Sequence, residues 1–91
     1  MNKHILVAMD HENLSKEELK KNLDAAHDAA VAVRADYAAT AADFAADFAY
    51  FAAAAAADSD SAKLKYWINN YFNVTGENRE DYEKALEKGR R

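Results

Sequence analysis

Residues 25–57 read AAHDAAVAVRADYAATAADFAADFAYFAAAAAA, and 19 of these 33 positions are alanine. Alanine has the highest helix propensity of the amino acids, and neither Gly nor Pro interrupts the run, so the tract predicts a long helix. Its start is marked upstream. Ser15-Lys16-Glu17-Glu18 is a capping box, with Ser15 as N-cap, Glu18 reaching back and Leu14 placed as a hydrophobic staple. Its end is marked by Asp58-Ser59-Asp60-Ser61, four residues whose side chains compete with the helical backbone and favour N-caps. The expected helix spans about 16–57, roughly 63 Å at ~1.5 Å per residue. Val31 and Val33 weaken it slightly through their branched Cβ atoms, which leaves a break near 31–33 as the alternative, although no residue demands one.

On a helix of ~100° per residue, Leu19, Leu23, Val33, Tyr37, Phe44, Phe48 and Phe51 fall in a stripe ~80° wide. An acidic edge of Asp36, Asp43, Asp47 and Asp58 runs beside it. The remaining circumference is mostly alanine, which on the simpler reading is solvated and on the other packs tightly on a second helix. Thr40 and Tyr50 are polar exceptions near the aromatic half.

The rest of the chain supplies shorter elements. Leu64, Trp67, Ile68, Tyr71 and Phe72 recur at i, i+3, i+4, i+7 and i+8, which predicts a helix over about 61–73. Gly76 suits a left-handed cap after it. A third helix is expected over about 79–88, capped by Asn78 and ended by Gly89. The turn at 58–61 should fold these elements back, bringing Leu64, Trp67 and Ile68 against Phe44, Phe48 and Phe51, with Trp67 in the core. Residues 1–13 form an N-terminal arm whose apolar knot, Ile5 to Met9, packs on the helices. The expected architecture is a single all-α domain over 1–91: one long helix folded back as a helical hairpin with two short ones.

Composition bounds the function. Cysteine is absent, which excludes disulfides, thiolate metal sites and cysteine nucleophiles. A net charge of −4 argues against nucleic acid as a direct ligand. Aspartates punctuate the alanine tract, so no run reaches the ~18 apolar residues of a membrane span. Ile5 to Met9 is too short for a signal-peptide core, which predicts a cytoplasmic protein.

Few constellations carry chemistry. Asp24, His27 and Asp28 share one helix face, but bundles that hold two metal ions need acid-x-x-His pairs on two helices plus further carboxylates. His4, His11 and nearby acids read as a solvated loop. Lys63, Lys65, Tyr66 and Trp67 mix bases and aromatics as single-strand binders do, yet those aromatics have a core to fill. The sequence predicts no catalytic residue, no metal and no cofactor.

Three segments taken together resemble a known group: LSKEELKKNLDAAHDAA at 14–30, the alanine/aspartate/aromatic tract, and YWINNYFNVTGENREDYEKAL at 66–86. The chain is similar to small accessory proteins of tailed bacteriophages, which carry alanine–aspartate–tyrosine tracts before a Tyr-Trp-rich segment and a Thr-Gly-Glu-Asn/Asp-x-x-x-Tyr ending. The resemblance implies a setting, the cytoplasm of an infected bacterium, and a part in host takeover or counter-defence.

The resulting expectation is a non-enzymatic helical interaction protein that self-associates and binds a host or phage protein. Leu19, Leu23, Val33 and Tyr37, uncovered on an extended helix, would mediate self-association into a dimer or larger oligomer. Asp36, Asp43, Asp47 and Tyr50 would meet the partner. The alternative is an oligomeric sponge that holds a nucleotide signal among Tyr37, Tyr50 and Tyr66.

Overall fold

Local capping chemistry sets the boundaries of the elements. Ser15 Oγ accepts the Glu18 N–H at 3.1 Å, and Glu18 Oε1 accepts the Ser15 N–H at 3.3 Å. Asp60 Oδ1 accepts the Lys63 N–H at 3.1 Å, so the following helix begins at Ser61. That helix ends where Gly76 turns to φ 71°, a left-handed conformation that costs glycine little. The Gly76 N–H returns to Phe72 O at 3.0 Å. Asn78 Oδ1 then accepts the Glu80 N–H at 2.9 Å and opens the last helix.

The computed structural model describes residues 1–34 and 41–89. Among them the chain forms α1 (Lys3–Met9), a 3-10 turn (His11–Asn13), α2 (Lys16–Arg34), α3 (Ala41–Ala57), α4 (Ser61–Thr75) and α5 (Arg79–Gly89). No strand is present among the described residues, in keeping with the expected all-α class. The predicted turn at 58–61 is found, and α3 packs on α4.

The single helix expected over 16–57 is corrected. α2 and α3 are separate helices that lie against each other. They run antiparallel: the His27 and Tyr50 rings meet with centroids 5.2 Å apart, while Lys16 and Lys20 share a groove with Ala57 and Asp58. The molecule is 40 Å in its longest dimension, too short for a rod of ~63 Å. Val31 and Val33 do not break α2, which continues to Arg34. The physical reason lies in packing. Helix propensity is equal along both halves of the tract, whereas only a fold-back gives the alanine faces something to cover them.

Those alanines form the middle of the protein. α3 contacts α1, α2 and α4, and Ala49, Ala52, Ala53 and Ala56 on it are fully enclosed. Ala26 and Ala30 are enclosed on α2. Helix axes approach as closely as the side chains between them allow, so methyl groups let three helices gather around α3. The back face is therefore packed, not solvated.

The N-terminal arm is helical. Asn2 Oδ1 caps α1 by accepting the His4 and Ile5 N–H groups at 2.9 and 3.2 Å. Ile5 and Ala8 then enter the core with no exposed surface. Buried Asn22 of α2 ties this helix down: its Nδ2 donates to His4 O at 3.2 Å, and its Oδ1 lies 3.1 Å from His4 Nδ1. Leu19 of α2 belongs to the same core cluster as Ile5 and Ala8.

Candidate functional site

With alanine in the centre, the aromatic side chains of α3 are displaced toward the surface. Phe44, Phe48 and Phe51 share one face of α3, and Trp67 of α4 lies beside them. Their rings form a continuous ladder. Phe44 stacks on Phe48 at 6.3 Å, Phe48 on Trp67 at 5.7 Å, and Trp67 meets Phe51 at 4.7 Å and Tyr66 at 4.8 Å between centroids. The expected contact of Phe48 and Phe51 with Trp67 is thus present. Trp67 is only partly buried, and the two ends of the ladder stand in water: Phe44 is 57% exposed and Tyr66 54%. Ring contacts of this kind add to area burial, so the ladder is a formed surface even without a cover.

The acidic edge borders this ladder. Asp43, Asp47 and Tyr50 fall within ~60° of one another on α3. Asp43 and Asp47 are half-buried rather than free surface charges, and Asp43 Oδ1 is enclosed with no hydrogen-bond partner among the described residues. Asp58 is exposed at the far end of α3. Tyr50 is half-buried between His27 and Phe51, 5.5 Å from the latter, so its ring helps join α2 to α3. Asp36 lies outside the described residues, as do Tyr37 and Thr40.

The residues expected to drive self-association are scattered by the fold-back. Leu19 is 6% exposed and packed in the protein's own core. Leu23 and Val33 are half-buried, Leu23 beside Ala57 in the groove at the start of α2. Among the described residues the large apolar side chains left exposed are Met1, Val31, Phe44 and Tyr66, and the last two are the ends of the ring ladder.

A polar cluster escaped the sequence reading. Past the Gly76 cap, Glu77 returns over α4 and its carboxylate accepts two buried phenols: Tyr71 Oη at 2.9 Å and Tyr82 Oη. The two hydroxyls lie 3.3 Å apart, and Tyr82 Oη also accepts the Asn2 N–H at 2.7 Å. One carboxylate thus joins the ends of α4, α5 and α1. The only sequence signal was Thr75-Gly76-Glu77, a helix stop followed at once by an acid.

Burial, and after it the bonds to Tyr82 and Glu77, push the Tyr71 hydroxyl well above the usual tyrosine range, and burial followed by the Glu77 bond raises Tyr82. Above the ordinary tyrosine value of 10.0, the unfolded chain releases protons that the folded chain keeps. The folded state then binds more protons, so stability falls as pH rises. The melting temperature should decline above about pH 10 and decline less steeply in Tyr71→Phe. Identical alkaline curves for the two proteins would remove Tyr71 from this account.

The remaining candidates hold little chemistry. His27 Nδ1 lies 3.8 Å from Asp28 Oδ1 with both side chains mostly in solvent, and no group of three His, Asp or Glu residues is placed to hold a metal among the described residues. No described helix is long and apolar enough to cross a membrane. Lys63 is 3.9 Å from Asp60, and Lys65 is exposed. No protein family, curated protein or solved structure matches the chain.

Proposed function

We propose that this is a non-enzymatic helical interaction protein that docks a host or phage protein on the ring ladder of α3 and α4. The observation that carries the reading is the ladder itself, with Phe44 and Tyr66 more than half exposed beside an otherwise enclosed core. Partly exposed aromatics grouped on one surface are the usual anchors of protein interfaces. Asp43 and Asp47 border the anchors and favour a partner with basic residues at the rim, where charge chooses the partner more than it adds affinity. Resemblance to phage accessory proteins supplies the setting, the infected bacterial cytoplasm, with host takeover or counter-defence as the purpose.

The test is a double substitution, Phe44→Ser with Tyr66→Ser. Both side chains are exposed, so the melting temperature should stay close to wild type, as surface changes usually fall within ±0.5 kcal/mol. A partner captured stoichiometrically from bacterial lysate by the wild type should be lost, with affinity down by about 30-fold or more for a hot-spot pair. Equal capture by the folded variant would sink the proposal. Light scattering on both proteins checks the other occupant: a wild-type dimer that the variant dissociates would give the ladder to a second copy of the chain.

A further inference from the structure

A second concavity lies on a neighbouring face of α4, about 100° around the helix from Trp67. Lys65 is two residues from Trp67, about 200° around the helix, and so faces away from the ring ladder. It borders a groove of about 360 Å³ where the end of α1, the 3-10 turn, α4 and the start of α5 converge. Ligand clefts of globular proteins begin at about this size. The floor is apolar: Met9 from α1, and Leu64 and Ile68 from α4.

The walls carry charged side chains that form no ion pair among the described residues. On α5, Arg79 and Glu83 are one turn apart, a spacing that ordinarily pairs. Here Arg79 is held elsewhere. Its guanidinium sits 5.0 Å over the Phe72 ring and donates to Asn69 Oδ1. A guanidinium fixed by stacking and a hydrogen bond is preorganised to receive a carboxylate. Glu83, Lys65 and Glu12 likewise form no ion pair with a described residue. His11 borders the same groove, and its Nδ1 is committed to Ala8 O at 3.2 Å.

We propose that this groove binds a free α-amino acid with an aliphatic side chain. The carboxylate meets Arg79 and Lys65, the ammonium meets Glu83 and Glu12, and the side chain rests on Met9, Leu64 and Ile68. A zwitterion suits these walls because Arg79 and Glu83 offer both signs one helical turn apart on α5, with Lys65 and Glu12 bordering the same groove, whereas a dianion or dication would face two like charges. This assignment stands apart from the docking surface and survives or fails without it.

The probe is L-leucine, followed by amide chemical shifts of the uniformly labelled protein. The expected result is a saturable change in the millimolar range at Met9, Leu64, Ile68 and Arg79, with Phe44 and Tyr66 unmoved. Three analogues dissect it. Leucinamide lacks the carboxylate and stands for a peptide N-terminus; N-acetyl-leucine lacks the ammonium and stands for a peptide C-terminus; glycine lacks the side chain. Each should bind at least tenfold more weakly than leucine. Glu83→Gln, which leaves the Arg79 stacking intact, should weaken leucine by a similar factor, and Lys65→Gln should do so without altering the melting temperature. Absence of a saturable change, equal binding of any analogue, or changes centred on Phe44 and Trp67 would each overturn the assignment.

Discussion

Tyr82→Ala lowers the unfolding free energy by about 3–5 kcal/mol, the usual cost of emptying a large aromatic site. Tyr82 is 1% exposed and is the buried side chain of α5. Its ring meets Phe72 at 5.0 Å and Tyr71 at 6.4 Å, both edge-on. A domain of 91 residues has roughly 5–14 kcal/mol of stability in all, at ~0.05–0.15 kcal/mol per residue. Losing 3–5 of that moves the melting temperature down by roughly 15–30 °C for a chain of this size. Tyr82→Phe keeps the ring and removes only the hydroxyl that serves Asn2 and Glu77, at about 1–3 kcal/mol. Thermal and urea unfolding of both variants decide the matter. Equal losses would assign the whole effect to the hydroxyl network, and a loss under ~0.5 kcal/mol for Tyr82→Ala would mean that α5 is not docked through this residue.

How legible this fold was depends on the range of the interaction involved. The capping box at Ser15–Glu18, the turn before Ser61 and the Gly76 stop were readable because each is closed within a few residues, the first two by side chains and the last by the backbone of a left-handed glycine. The identity of the core was not. Periodicity grouped Phe44, Phe48 and Phe51 on one stripe correctly, but it gives no way to tell which face of a helix the other helices will choose. Hydrophobicity favoured the aromatics. Geometry favoured the alanines, because three neighbours had to reach α3 at once. The fold-back of α2 on α3 was hidden for the same reason: alanine propensity is uniform along the tract, and the preference for two helices arises only when Ala26, Ala30 and Ala53 find cover. For the site, the ladder residues were visible in sequence as a hydrophobic stripe, while their exposure was not. For Glu77 the sequence offered only its place after the Gly76 stop, since its partners are Tyr71 and, through Tyr82, the backbone of Asn2.

The alanine-centred core leads to an expected result that hydrophobicity alone would invert. Ala52 and Ala56 are fully enclosed on α3, one helical turn apart, while Phe44 on the same helix is 57% exposed. Replacing Ala52 and Ala56 together by Leu increases apolar volume and leaves helix propensity high. It should nevertheless destabilise the protein, by about 2–6 kcal/mol where the two costs add, since extra methylenes in a close-packed site force neighbours off their rotamers or push the backbone apart, at ~1–3 kcal/mol for each site. The two sites are neighbours, so their costs need not add, and expansion by one can make room for the other. Phe44→Ala removes far more apolar surface, yet its ring stands mostly in water and its loss should change stability little. Circular dichroism melts of the two variants form one comparison. If the double leucine variant melts at or above wild type while Phe44→Ala collapses, then the aromatics are the core, the alanine faces are loosely covered, and the ring ladder is not available to a partner.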